Sequence, residues 1–148
     1  MVDFKRILAP VDMSDFSLQA LDYAVEMAQK YGAELTVLSV VNGSFYTNTY
    51  MNVLDLENIV DSVHQQVEKN LREVVQKYDQ SPVTIKTVVE EGNPYLAICE
   101  YAKKKHIDLI IMASHGYSGL DSILIGSVTE KVVRKATCPV LTLKFTSE

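Results

Sequence analysis

The segment Ile107-Asp108-Leu109-Ile110-Ile111-Met112-Ala113 restricts the fold more than any other, because it is almost continuously apolar yet too short for a helix of its own. A strand with one wet face alternates. This run does not, which fits a strand covered on both sides at the centre of a parallel sheet. Parallel neighbours cannot be joined by a tight hairpin, so the rest of the chain must supply crossover helices and further strands.

It does so in a regular order. Arg6 to Asp12 is a first strand, with Pro10 tolerated near its end. Ser14 then caps a helix whose apolar residues, among them Phe16, Leu21, Ala24, Val25, Ala28 and Tyr31, recur at helical spacing until Gly32 stops it. Glu34 to Val41 is a second strand. Residues 42 to 53 lack a period and form a surface loop suited to act as a lid, and Leu54 to Tyr78 carries the apolar stripe of a long amphipathic helix. Val83 to Val89 alternates as an edge strand does. Asn93-Pro94 opens a third helix that ends near Lys105, and Ser127 with Glu130 forms a capping box before the last helix. The strand Val140 to Leu143 closes a βαβαβαβαβ order, which calls for a parallel sheet with helices on both faces.

At 148 residues the chain suits a single domain over 1–148. Its net charge of −5 opposes nucleic acid, and Lys103-Lys104-Lys105 suits the negative end of a helix dipole. Neither a signal peptide nor an apolar run long enough to span a membrane is visible, so a cytoplasmic protein without membrane insertion is expected. Cys99 and Cys138 have no metal-ligand or CxxC spacing and are read as small buried apolar residues.

In sheets of this kind ligands bind beyond the carboxyl ends of the strands, where strand order reverses. The loops after Val11, Val41 and Ala113 are the candidates. Gly116 and Gly126 frame the last of them, and the first amides of the following helix, at Ser127, Val128 and Thr129, suit an anion such as phosphate. Taken alone, Gly119 and Gly126 can equally serve turns, with Ser127 capping the helix together with Glu130 and no ligand needed. Asp12, ending the first strand, can accept bonds from ribose hydroxyls or help hold a metal through water, or it can simply make an Asx turn into the helix. His115 has no evident Ser, Cys or Asp partner and is read as a solvated or hydrogen-bonded residue; His64 and His106 carry less weight.

At these residues the chain resembles the universal stress protein family over nearly its whole length. The ATP-binding members carry glycine, two residues, glycine, nine residues, then glycine and serine or threonine; here Ala113-Ser114-His115-Gly116 stands nine residues before Gly126-Ser127, with alanine for the first glycine. The opening Ile7 to Ser14 and the closing Cys138-Pro139-Val140-Leu141 are similar as well. The resemblance implies a three-layer, doubly wound, Rossmann-like sheet of strand order 3-2-1-4-5. It implies ATP, with Mg²⁺, as the ligand. Asp12 and the Ala113 backbone would lie by the ribose, the backbone near Val40 by the adenine edge, and Gly116, Gly126, Ser127, Val128 and Thr129 around the phosphates. Pro10, Val11, Met112 and His115 complete the expected lining, with no catalytic residue and no dedicated metal ligand. It further implies a homodimer through the C-terminal strand 140–144 and a regulatory protein partner that reads the bound state.

Other functions fit less well. A phosphoryl-accepting domain needs an acidic cluster that is missing after the first and third strands, and an oxidoreductase would carry GxGxxG where Pro10-Val11-Asp12 stands. The loop also lacks the lysine of GxxxxGK[ST], so at most slow ATP hydrolysis is expected. The main rival is a nucleotide-free dimeric interaction module of the same fold.

Overall fold

The computed structural model describes residues 1–44, 56–115 and 125–146. Its elements follow the order β1 (Arg6–Pro10), α1 (Asp15–Tyr31), β2 (Glu34–Val41), α2 (Leu56–Gln76), β3 (Ile85–Glu91), α3 (Pro94–Lys104), β4 (Leu109–Ala113), α4 (Ser127–Lys135) and β5 (Val140–Leu143). The strands form one parallel sheet of order β3-β2-β1-β4-β5. The expected fold class and strand order are both found.

Strand alternation divides the core into two halves. Ile7, Ala9, Val11, Leu35, Val37, Leu109 and Ile111 face Leu21, Ala24, Val25 and Ala28 of α1 and Leu71 of α2. Their neighbours Leu8, Leu38, Ile110 and Met112 face Ile98 and Ala102 of α3 and Val132 of α4. Both faces of β1 and β4 are therefore dry, as the unbroken apolar run of β4 requires. Asp108, the one polar residue in that run, stands just before β4. Its Oδ2 accepts the amides of Lys5 and Arg6 at 2.9 and 2.8 Å, while its own amide donates to the Arg6 carbonyl, so it aligns the starts of β1 and β4.

Several boundaries differ from the sequence reading. Ile107 belongs to the turn that closes α3, because its amide donates to the Ala102 carbonyl. β3 starts and ends two residues later than expected, since its pairing with β2 runs on to Val41 and Glu91, and an edge position tolerates the two glutamates. The Ser127 capping box is not formed. The N-cap is Gly126, whose carbonyl accepts the Glu130 amide, so Ser127 is already helical and the Glu130 side chain instead pairs with Arg134 at 2.9 Å. Asn93 is an N-cap by backbone only, whereas Ser14 caps α1 through its side chain and Gly32 ends it with φ 64°. Of the loop read over 42–53, residues 45–53 lie outside the described residues.

The turn after α2 is tied to α1 by Tyr78, whose hydroxyl donates to Asp22 Oδ1 at 2.6 Å, with Lys77 Nζ 2.9 Å from the same oxygen. Burial, and then the bond to the Asp22 carboxylate, push the Tyr78 phenol up to about 12. Burial alone would raise Asp22, but the bonds from Tyr78 and Lys77 hold its carboxyl below the ordinary value. Folded Tyr78 thus keeps its proton above the ordinary phenol value of about 10, so its contribution is full below that pH and lost as pH rises toward about 12. Tyr78→Phe should lower stability near neutrality by about 1 kcal/mol in urea denaturation, a modest figure because Asp22 and Lys77 are half exposed. It should also flatten the loss of stability between about pH 10 and 12. An unchanged urea midpoint at neutral pH would show that the tie is not stabilising.

Candidate functional site

Where β1 and β4 end side by side, the crossover from β1 runs to one face of the sheet and that from β4 to the other, and a cavity of about 310 Å³ opens between them. That lies at the small end of the range for small-molecule sites. Pro10, Val11 and Asp12 line it from β1, Val40 from β2, Met112, Ala113 and His115 from the end of β4, and Gly126, Ser127, Val128 and Thr129 from the start of α4. Gly116 lies outside the described residues. Sequence reasoning missed Ser17, Leu38, Pro94 and Ile98. Leu38 was within reach, since it precedes Val40 by two and shares its face of β2; Pro94 and Ile98 are one helical turn apart on α3.

Among the described residues, Asp12 is the sole carboxylate in that lining. The Asx turn anticipated as one of its two roles is formed: Oδ1 accepts the Ser14 amide at 3.0 Å and the Ser14 hydroxyl in a short hydrogen bond. Between them Met13 has φ 67°, a left-handed conformation that costs a residue with a Cβ roughly 1–2 kcal/mol. The second role, acceptor for a ligand, remains open to the other carboxylate oxygen.

Val40 contributes backbone. Along β2, Glu34 donates to Lys5 and Leu38 accepts from Val11, whereas Leu35 and Val41 bond toward β3. Alternation therefore turns the Val40 amide and carbonyl to the β1 side. The ladder there stops with Val11, so one donor and one acceptor point past the end of β1 into the crevice.

At the opposite wall, α4 begins without a side-chain cap. The amides of Ser127, Val128 and Thr129 have no intrahelical acceptor and carry the positive end of the helix dipole. Two bonds aim them: the Gly126 amide donates to the Ser114 carbonyl at 2.7 Å, and the buried Thr129 hydroxyl donates to the Ala113 carbonyl at 2.9 Å. Gly126 packs tightly: a Cβ would lie 3.2 Å from His115 Cα and 3.3 Å from the Ser114 oxygen, so the backbone there would have to give by a few tenths of an ångström to admit one. Its φ is an ordinary −61°.

His115 does have a serine partner, contrary to the sequence reading: Nδ1 lies 3.0 Å from Ser114 Oγ. Only 4% exposed, its ring meets Phe16 edge-on at 5.2 Å. The adjacency that placed this serine beside it is plain in the sequence; its burial is not. Cys99 and Cys138 are half-buried rather than buried as expected, because they pack at the margin of the apolar cluster of α3, α4 and β5; partial burial pushes both thiols above the ordinary value. Among the described residues no group of three potential ligands can hold a metal ion, and no helix is long and apolar enough to cross a membrane.

The sequence is 36% identical to universal stress protein MJ0531 of Methanocaldococcus jannaschii over 141 residues, covering 95% of this chain and 82% of the relative. It is 34% identical to universal stress protein YxiE of Bacillus subtilis, covering 95% and 99%. Among solved structures, MJ0577 of M. jannaschii superposes with a TM-score of 0.87 at 26% identity, covering 99% of this chain and all of that one. Universal stress proteins solved with cAMP and, from Archaeoglobus fulgidus, with dAMP share the fold, at TM-scores of 0.72 and 0.66, identities of 22% and 21%, and coverage of 97% of this chain in each case and of 98% and 100% of theirs. The sequence pattern that defines the universal stress protein family matches residues 3–144, and the chain belongs to that family.

Proposed function

We propose that the protein binds a nucleotide, with ATP and Mg²⁺ as the ligand, and acts as a nucleotide-dependent regulatory module of the stress response rather than as an enzyme. The observation that carries this is the uncapped start of α4, three amides directed into a cavity at the switch point of the sheet. Val40 supports it from the far wall, since one donor beside one acceptor on a strand edge suits the edge of a purine. The relatives solved with cAMP and dAMP hold adenine nucleotides on the same fold. The residues fit a phosphate-bound Mg²⁺ better than a resident one: among the described residues Asp12 is the only carboxylate in the lining, and such an ion keeps mostly phosphate and water ligands.

Gly126 is a poor place to test the site, because any side chain there strikes backbone. Ser127 is better. It is exposed in the first turn of α4, where a carboxylate stabilises the helix but repels phosphate. Ser127→Asp should leave the thermal midpoint unchanged or slightly raised and weaken ATP binding in calorimetry by about tenfold or more. Undiminished affinity would exclude this site.

Catalysis should be slow. No lysine of the GxxxxGK[ST] type serves the phosphates, and His115 is committed to Ser114 and Phe16. Phosphate release in the presence of Mg²⁺ should therefore stay near background. Rapid turnover lost on Asp12→Ala would instead identify an ATPase.

We further propose a homodimer through β5, with a regulatory protein reading the bound state. β5 is an edge strand, its Leu141 is partly exposed, and Lys144 is its nearest charge. The β4 ladder uses the backbone of Pro139 and Leu143, so by alternation Thr142 turns its amide outward. Thr142→Pro should shift sedimentation toward monomer without opening the sheet, whereas Leu143→Pro would also damage the pairing with β4. Wild-type protein that stays monomeric at high micromolar concentration would exclude the dimer.

A further inference from the structure

Around Asp12 the backbone and two buried serines form a closed ring of hydrogen bonds. The Ser14 hydroxyl donates to Asp12 Oδ1 and accepts the Ser17 amide at 3.2 Å. The Ser17 hydroxyl donates to the Ser14 carbonyl at 2.9 Å and accepts the Asp12 amide at 3.3 Å. Each hydroxyl has one proton, and both are spent within the ring, so the direction of every bond is fixed. Two donors already meet Oδ1. We infer that Ser14 and Ser17 are positioning residues, which fix the orientation of the Asp12 carboxylate with one oxygen saturated so that only Oδ2 is offered to a hydroxyl of the bound ligand.

This inference rests on the nucleotide reading of the cavity, in which Asp12 lies beside the sugar, and adds what orients that carboxylate. Ser17 touches the cavity wall, but its polar atoms are turned into the ring, so it acts through Asp12. Met13 supports the assignment independently. A left-handed methionine persists only where its surroundings over-determine it, and here the bonds on either side bring the Ser14 amide and hydroxyl to the same oxygen. A carboxylate with a single free oxygen accepts a neutral hydroxyl and repels a phosphate in its place. Nucleotides with a free ribose diol should therefore be preferred over those phosphorylated on the sugar.

The test compares ATP with 2′,3′-dideoxy-ATP by calorimetry in wild type, Ser17→Ala and Ser14→Gly. Glycine at 14 keeps a competent N-cap while removing the hydroxymethyl group and its bond to Asp12, which guards against a folding defect in the other variant. Wild type should prefer ATP by about tenfold or more, as expected for bonds to a charged acceptor. In both variants ATP should weaken by about threefold or more while dideoxy-ATP is unchanged, so the preference shrinks. General destabilisation would weaken both ligands together and keep the ratio. A wild-type preference that survives both substitutions overturns the positioning role alone. Wild type that binds neither nucleotide overturns the reading of the cavity, and this inference with it.

Discussion

Everything in this molecule depends on β1 and β4 being dry on both faces. Strands so covered are characteristic of a parallel sheet, in which the chain leaves each strand by a crossover on one face or the other. α1 and α2 take one face and α3 and α4 the other, so β1 and β4 part at their carboxyl ends. The cavity is the space left by that parting. It is a consequence of how the core is covered and needs no ligand to exist.

That dependence explains what could be read from the sequence. The apolar run of β4, the stripe of α2 and the alternation of β3 each report burial, and burial sets the order of elements. The switch point then follows from topology, which is why Asp12, Ala113 and the start of α4 could be placed together without coordinates. Local polar geometry was harder. Ser127 and Glu130 have the spacing of a capping box, yet Gly126 took the cap because its amide was already bound to Ser114 and its backbone had to lie against His115. His115 seemed partnerless for a related reason: nothing in its neighbours says that the chain turns there so that the ring lies buried beside Ser114 and Phe16. The lining from α3 was invisible because the position of a helix over a sheet is set by packing volume, which no local pattern encodes.

At Asp12 a structural role and a place in the cavity wall coexist. Oδ1 completes the turn into α1, so the residue that starts the helix is also one that lines the cavity. Val40 does the same with backbone alone. Such sites are economical in side chains, and the residue types at these positions say less about the ligand than the strand ends that present them.

Gly126 has a consequence for how proteins of this type are recognised. Its missing side chain makes room for the backbone of Ser114 and His115, before any ligand is considered. A signature built on this glycine therefore detects the tight junction between the fourth strand and the last helix. A descendant that had abandoned its ligand would still be bound to keep it, and a sequence search would go on counting that descendant among the binders.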